Sequence, residues 1–207
     1  MNGIILAGGL SRRMNGTRKA FLSLGDETFI ERILRVLRPH FDAMFIVTNE
    51  PDRYARFDAR VVRDQEEGRG PLMGVYSGLL ASGSEASFFT AVDTPLVSAA
   101  LARRLAEIGD ECDARVPRWG GREEPLCAVY SRRCLPAIES VLSRGKSAAG
   151  DAPPGRMVAF FPLVRACFVE ESAVRELDPR GLSFFNVNTP QDYEALCALN
   201  AGASPEP

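Results

Sequence analysis

The sequence contains a single histidine, His40, and no Cys-x-x-Cys pair. One histidine without a catalytic partner argues against a Ser-His-Asp or Cys-His hydrolase, and we interpret His40 as a residue at a helix end. The five cysteines are odd in number and scattered along the chain (Cys112, Cys127, Cys134, Cys167 and Cys197). Their spacing argues against a zinc site and against a disulfide framework, so we predict that they are small, partly buried core residues.

Long apolar runs and an excess of charge of either sign are also missing. No run approaches the roughly 20 apolar residues that a membrane span needs. The formal net charge is -2 over 207 residues, which leaves no overall basic footprint for nucleic acid. A strand is predicted within three residues of Met1, which leaves no room for a signal peptide. We therefore expect a soluble cytoplasmic protein that binds neither nucleic acid nor membranes.

Positive charge is instead concentrated in one loop near the N-terminus. The apolar run 4–7 ends at Gly8-Gly9, and the loop that follows carries four cationic side chains within eight residues (Arg12, Arg13, Arg18 and Lys19). Consecutive glycines allow backbone N–H groups to approach a phosphate, and fixed positive charges then neutralise it. The loop matches neither the Walker A motif nor the dinucleotide fingerprint. It predicts a nucleoside triphosphate site of another kind, with a glycine-rich turn and solvated arginines as the alternative.

Apolar strand-like segments alternate with helical patterns along the first half of the chain. Strands are predicted over 4–7, 44–48, 61–62 and 88–92, and helices over 28–37, 72–80 and 99–108. This order predicts a Rossmann-like α/β fold, with a mostly parallel twisted sheet and helices on both of its faces.

The second half is less regular. Strands are predicted over 114–116, 126–130, 164–169 and 184–187, and helices over 134–142 and 191–199. The Gly- and Pro-rich segment 147–156 is the best candidate for a mobile flap. We predict one domain over 1–200 and a frayed tail over 201–207.

Several polar residues follow the predicted strands directly. Gly8-Gly9, Asn49, Asp64 and Asp93 all lie at carboxyl ends of strands, where open α/β sheets bind their ligands. Asp93, in the segment A-V-D-T-P, is the strongest candidate for a Mg²⁺ ligand, because Mg²⁺ needs only one or two protein carboxylates besides phosphate and water. Its alternative role is the N-cap of the next helix.

Other candidates surround this edge. Lys19 suits charge stabilisation on a triphosphate and Arg13 could assist it, although either could be a solvated surface residue. Gly70 and Gly74 permit close approach to a base or ribose, or form an ordinary turn. Asp64 could accept from the N–H and amino group of guanine, or form an Asx-turn.

Asn186 and Asn188 flank Val187 and project to one face of the predicted strand. They could complete a metal shell or bind the acceptor substrate. Alternatively, Asn188 caps the helix that begins at Pro190.

These residues together resemble the molybdenum cofactor guanylyltransferases, the MobA-like nucleotidyltransferases. The matching segments are L-A-G-G at 6–9, S-x-R-M at 11–14 with Lys19, G-P-L-M-G at 70–74, V-D-T-P at 92–95, E-P-L-C-A-V-Y at 124–130 and F-F-N-V-N-T-P at 184–190. They cover essentially the whole chain in the family's order. The resemblance implies a fold of the nucleotide-diphospho-sugar transferase type. It also implies transfer of GMP from Mg-GTP to the terminal phosphate of molybdopterin, with release of pyrophosphate.

The resemblance also assigns roles to individual residues. Nucleotide binding falls to Leu6, Ala7, Gly8, Gly9, Lys19, Asn49, Asp64, Gly70, Gly74 and Asp93, catalysis to Lys19, Asp93 and Arg13, the metal to Asp93, and the acceptor to Asn186 and Asn188. The implied partners are GTP, molybdopterin, a GTP-binding adapter protein and molybdoenzymes. Two positions differ from the family pattern: Asn15 replaces the usual glycine, and Arg18 replaces an aspartate often found before the lysine.

Two further hypotheses remain at this stage. A related nucleotidyltransferase could use CTP or a sugar-phosphate acceptor. A non-catalytic nucleotide-binding adapter could retain the site without its turnover.

Overall fold

The computed structural model describes residues 1–8, 18–147 and 157–201. Within these residues the strands are β1 (Asn2–Leu6), β2 (Ser23–Leu24), β3 (Glu27–Thr28), β4 (Met44–Val47), β5 (Arg60–Val62), β6 (Ala86–Ala91), β7 (Ala114–Trp119), β8 (Arg122–Glu123), β9 (Cys127–Ser131) and β10 (Ala166–Val169). The α-helices are α1 (Phe29–Leu37), α2 (Pro71–Ser82), α3 (Ala99–Glu107), α4 (Leu135–Ser147), α5 (Glu171–Arg175) and α6 (Pro190–Ala201). Short 3-10 helices join them, among them Lys19–Phe21, Met157–Leu163 and Leu182–Phe184.

The main sheet has the strand order β10-β7-β9-β6-β1-β4-β5, with β8 paired to β7. All neighbours along this order are parallel except at β9, which runs antiparallel to both β6 and β7. β2 and β3 form a separate small hairpin. The prediction of a mostly parallel α/β sheet is therefore confirmed.

The sheet lies between two layers of helices because its strands are apolar on both faces. On β1, Ile4 and Leu6 belong to the core that α2 and α4 complete, whereas Ile5 belongs to the core that α1 and α3 complete. In α2, a Cβ on Gly78 would lie 2.9 Å from the ring of Phe89 and 3.1 Å from Ile4. This glycine therefore lets α2 pack closely on the sheet.

Local capping sets where the helices begin. The backbone N–H of Thr28 donates to the Glu31 carboxylate at 2.8 Å, which completes a capping box at the start of α1. Ser98 caps α3 by accepting from the N–H of Leu101 at 3.2 Å. The alternative role of Asp93 as that N-cap is thus wrong, and its carboxylate is left for other contacts.

Two predictions about the second half are wrong. Cys112 and Cys167 form a disulfide with a Cα–Cα distance of 5.7 Å, because β7 and β10 pair in parallel and bring these distant positions together. Cys127 and Cys134 are free and buried, as predicted. The segment 184–187 is not a strand: within the described residues, the backbone hydrogen bond that ties it toward the sheet runs from Val187 N–H to the carbonyl of Asp93, just beyond β6, at 2.9 Å.

Some predictions fall outside the described residues. These are the flap, apart from Ser147 at the end of α4, and the tail beyond Ala201. The assignment of 1–200 to one domain stays a prediction. In the part of the chain that the structure describes, no helix is long and apolar enough to cross a bilayer.

The strand order changes direction beside β1. The chain moves from β1 to β4 and β5 on one side, then returns through α2 to β6 on the other side. Ligands in open α/β sheets bind at such a switch point, outside the carboxyl ends of the strands. Here those ends lead into Gly8 after β1 and into Asp93 after β6.

Candidate active site

The centre of the switch point is an ion pair between Lys19 and Asp93. Lys19 Nζ lies 2.9 Å from Asp93 Oδ2 and 2.6 Å from Asn188 Oδ1. Both charged side chains are mostly buried, with exposed fractions of 16% and 22%. Three segments that are far apart in sequence thus place one ammonium between two oxygen acceptors.

The oxygens around Lys19 also suit a divalent cation. Asp93 Oδ1 is buried and accepts no hydrogen bond within the described residues. The carboxylate oxygen Oδ2 of Asp93 and the amide oxygen Oδ1 of Asn188 both face the positive charge of the Lys19 ammonium. No group of three His, Cys, Asp or Glu side chains that could form a complete protein cage is found among the described residues. Mg²⁺ does not need one, because it keeps water and takes substrate phosphate oxygens as ligands.

The cap of α6 leaves the Asn188 side chain free for this contact. Asp192 Oδ2 accepts from the backbone N–H groups of Asn188, at 2.9 Å, and Thr189, at 2.8 Å, and Thr189 Oγ1 accepts from Asp192 N–H at 3.1 Å. The alternative that the Asn188 amide caps this helix is therefore wrong. Asn186 and Asn188 are exposed on either side of buried Val187, so the predicted alternation holds without a regular strand.

Asn49 and Asp64 form a second polar cluster, on the β4–β5 side of the switch point. Asn49 Nδ2 donates to Asp64 Oδ2 at 3.0 Å, and Asn49 Oδ1 accepts from Asp64 N–H at 3.3 Å. Burial raises the pKa of Asp64, while the hydrogen bond from Asn49 acts in the opposite direction. The side chain of Asp64 is thus positioned by Asn49, and Asp64 Oδ1 has no partner in the described part of the chain.

Glycines keep the space around Asp64 open. A Cβ on Gly8 would lie 3.7 Å from Asp64 Oδ2, and one on Gly74 would lie 3.7 Å from Asp64 Oδ1 and 3.2 Å from Leu6. Gly70 caps α2 with φ at 77°, a conformation that favours glycine. The predicted nucleotide-binding residues on β1, β4, β5 and α2 are therefore neighbours in space, including Ala7, whose N–H donates to the Val47 carbonyl at 2.8 Å.

The cationic loop is described only at its end. Gly9 and Arg13 lie outside the described residues. Of the two residues that depart from the family pattern, Asn15 also lies outside the described residues, and Arg18 pairs with Glu50 at 2.7 Å. Its charge is thus balanced by a carboxylate that follows β4, and its neighbour Lys19 keeps the contacts with Asp93 and Asn188.

Sequence reasoning assigned no role to Glu124. It lines a cavity of about 120 Å³ together with Thr94, which follows Asp93, and Asn186. Burial raises the pKa of Glu124 to about 7, against the lowering influence of the Arg122 charge. The signal that pointed to it was its place at the head of the segment E-P-L-C-A-V-Y. Its position at the site could not be predicted because β9 is antiparallel, and periodicity alone does not show at which edge of the sheet a strand begins.

Comparisons with known proteins point to one family. Residues 3–153 match the family model of the MobA-like NTP transferase domain. The molybdenum cofactor guanylyltransferase of Desulfosudis oleivorans is 39% identical over 206 residues, covering 98% of this chain and 97% of that protein. A probable molybdenum cofactor guanylyltransferase of Pelotomaculum thermopropionicum is 39% identical over 190 residues, covering 92% and 88% of the two chains.

A solved structure shares the fold. The molybdopterin-guanine dinucleotide biosynthesis protein A of Archaeoglobus fulgidus superposes with a TM-score of 0.81 at 24% identity, covering 98% of this chain and all of that one. Both the predicted fold and the predicted resemblance are confirmed.

Proposed function

The chain belongs to the MobA-like NTP transferase family, and on that premise we propose that it transfers GMP from GTP to the terminal phosphate of molybdopterin, releasing pyrophosphate. The observation that carries the proposal is the Lys19 ammonium held between Asp93 and Asn188 at the switch point of the sheet. Charged groups fixed in advance in this way stabilise the charge that develops in phosphoryl transfer.

We propose Mg²⁺ as the metal of this site. Asp93 would hold the ion through its carboxylate, and the amide oxygen of Asn188, which contacts the same Lys19 ammonium, could serve as a second oxygen ligand. When bound, the ion neutralises negative charge on the phosphate oxygens.

The protein's own residues bind and orient the reactants. An oxygen of the acceptor phosphate attacks the α-phosphorus of GTP in line, and the bond from that phosphorus to the pyrophosphate oxygen breaks. Lys19 stabilises the negative charge that builds on the departing pyrophosphate, and Arg13 assists it. No side-chain nucleophile is required. The buried cysteines support this view, because burial raises the pKa of Cys134 to about 12 and keeps its thiol protonated.

The cluster around Asp64 is the proposed guanosine site. Guanine presents an N–H and an amino group side by side, and a carboxylate can accept from both. Cytosine lacks that pair of donors, so the Asp64 carboxylate favours GTP over CTP. Backbone approach to the nucleotide is proposed at Leu6, Ala7, Gly8, Gly9, Gly70 and Gly74, with Asn49 holding Asp64 in place.

The acceptor phosphate is proposed to lie near Asn186 and Asn188. A GTP-binding adapter and molybdoenzymes as protein partners, and a cytoplasmic location, belong to the same proposal and rest on the family resemblance.

The test is pyrophosphate release by the full chain with Mg²⁺. We expect release from GTP only when molybdopterin is added, and little release when CTP replaces GTP. Equal release from both nucleotides would contradict the guanine assignment. Binding of GTP without any acceptor-dependent release would instead indicate a nucleotide-binding adapter.

A further inference from the structure

A carboxylate that the proposed reaction does not yet use lies at the same edge of the sheet as Asp93. β9 runs antiparallel to β6, so its first residues lie where the parallel strands end. Thr90 of β6 pairs with Cys127 of β9. Beyond that pair, β6 leads into Asp93 and Thr94, and Glu124 precedes β9; Thr94 and Glu124 line the same cavity. Glu124 therefore lies beside the segment that carries Asp93, and the strand order puts it on the side away from Asp64.

The cavity that Glu124 lines is also lined by residues next to those proposed to bind the metal and the acceptor. Its lining includes Thr94, directly after Asp93, and Asn186, two residues before Asn188. Its other walls include Met157 and Phe184, and the ring of Phe184 is itself held against Trp119 at a centroid distance of 5.7 Å. A cavity with a polar end and an aromatic wall suits a flat heterocycle that carries polar groups on one edge.

Among the described residues, no hydrogen-bond donor contacts the carboxylate of Glu124. No hydrogen bond or ion pair to its side chain is found among the described residues, and burial is the main influence on its pKa. A half-buried carboxylate in this position gains most from a ligand that offers two N–H donors side by side. It would repel a phosphate, so the acceptor's phosphate group is not its partner.

We propose that Glu124 is a specificity-determining residue that accepts hydrogen bonds from the ring N–H and the adjacent amino group of the acceptor's pterin. This inference rests on the proposed function, because it takes the acceptor to be a pterin phosphate. Guanine carries the same donor edge, but the proposed guanosine site at Asp64 lies on the opposite side of β1. The site thus has two carboxylates for two rings of related chemistry, one on each side of Lys19 and Asp93.

The first test separates acceptor recognition from catalysis. Glu124→Gln keeps the size of the side chain but removes its charge and replaces one acceptor oxygen by a donor group. We expect KM for molybdopterin to rise about ten- to hundredfold, with kcat and KM for GTP within about twofold of the unsubstituted protein. Glu123→Gln is the matched control, because it removes the same charge one residue away, from a side chain that pairs with Arg118 at 3.7 Å. It should leave all three parameters unchanged.

The second test does not depend on turnover. The probes are 6-hydroxymethylpterin and 6-hydroxymethyllumazine, which carries a carbonyl in place of the amino group, with binding followed by pterin fluorescence. We expect the unsubstituted protein and Glu123→Gln to prefer the pterin about tenfold or more, and Glu124→Gln to lose that preference. Thermal unfolding verifies that each variant is folded.

Several results would overturn the inference. They are equal binding of the two probes by the unsubstituted protein, no pterin binding at all, an unchanged acceptor KM in Glu124→Gln, or a fall in kcat without a change in that KM. A protein that prefers the pterin through Glu124 but releases no pyrophosphate from GTP would retain this inference and lose the proposed reaction.

Discussion

The two carboxylates that flank the Lys19–Asp93 pair differ in the hydrogen bonds that the protein donates to them. Asp64 and Glu124 are both partly buried, and burial raises the pKa of each. Asp64 accepts a hydrogen bond from Asn49 at 3.0 Å, whereas no described residue donates to Glu124. If Asp64 holds the guanosine and Glu124 the acceptor, as proposed, the difference indicates that the nucleotide side is assembled before substrate binds, while the acceptor side is completed by the ligand itself.

The difference follows from the strands that carry the two residues. Asp64 follows β5, in the regular parallel half, where Asn49 follows the neighbouring strand β4 and reaches it with its side chain. Glu124 precedes β9, the antiparallel strand, after a tight hairpin with Gly120 and Gly121 at φ of 56° and 73°. A parallel neighbour therefore supplies a partner for Asp64, and the hairpin supplies none for Glu124.

The largest effect is expected at the centre that both sides share. Asp93→Asn removes the negative charge that holds Lys19 and would hold the metal. We expect acceptor-dependent pyrophosphate release to fall by about a thousandfold or more, because several kcal/mol of charge stabilisation are lost. The fold should be retained, as judged by an unchanged circular dichroism spectrum. Near-normal turnover in this variant would refute the assignment of Asp93.

The next effect in size concerns Lys19 and its neighbour. Lys19→Met should lower kcat by about a hundred- to thousandfold, because it removes a positive charge aimed at the phosphates. Arg18→Met is the matched control, since among the described residues it breaks the pair with Glu50 and leaves the Lys19 contacts in place. We expect kcat for it within about fivefold of normal, because the charge of Arg18 is already paired with Glu50, whereas Lys19 makes the contacts with Asp93 and Asn188. Similar losses in both variants would show that Arg18 takes part in the reaction.

Asp64→Asn separates the two sides of the site directly. We expect KM for GTP to rise about tenfold or more while the acceptor KM is unchanged, which is the reverse of the pattern expected for Glu124→Gln. GTP binding in the unsubstituted protein should also weaken as the pH falls through the raised pKa of Asp64, because only the ionised carboxylate accepts both guanine donors. Titrations of GTP at several pH values measure this, and a pH dependence that survives in Asp64→Asn would point to another group.

The smallest effect expected is on stability. The pKa of Glu124 is raised from an ordinary value near 4.5 to about 7, so the folded protein binds this proton more tightly than the unfolded chain does. The stabilisation that this bound proton gives the folded protein is fully present below about pH 4.5 and is lost as the pH rises through 7. Allowing for solvent screening, the free energy of unfolding should fall by about 1–2 kcal/mol between pH 5 and 7.5, relative to Glu124→Gln. Urea denaturation at the two pH values measures the difference, and parallel pH profiles for both proteins would contradict the raised pKa.

The parallel half of the molecule could be predicted from the sequence. Apolar runs that end in Gly8, Asn49, Asp64 and Asp93 identify strands whose carboxyl ends share one edge, and the structure brings these residues together there. The contact between Lys19 and Asn188 could not be predicted, because it joins residues whose strands and loops meet only in the folded sheet.

Three features of the second half of the chain could not be predicted from the sequence, each for a physical reason. The segment around Val187 alternates in burial like a strand, yet in the part of the chain that the structure describes it is tied to the sheet edge by one backbone hydrogen bond, to Asp93 beyond β6. Its burial pattern is therefore that of a strand, but it is not paired as one. The disulfide between Cys112 and Cys167 depends on the parallel pairing of β7 and β10 across 55 residues, which no local signal encodes. Glu124 remained without a role because the sequence pattern does not reveal that β9 is reversed.

The fate of the α-phosphate of GTP tests the central claim most directly. The unsubstituted protein is incubated with Mg²⁺, molybdopterin and GTP radiolabelled at the α-phosphate, and the products are separated by chromatography. We predict that the label moves to a dinucleotide product containing the pterin, in equal amount to the pyrophosphate released, with none attached to the protein. Label that stays in GTP, or that becomes covalently bound to the chain, would contradict direct transfer at the Lys19–Asp93 centre.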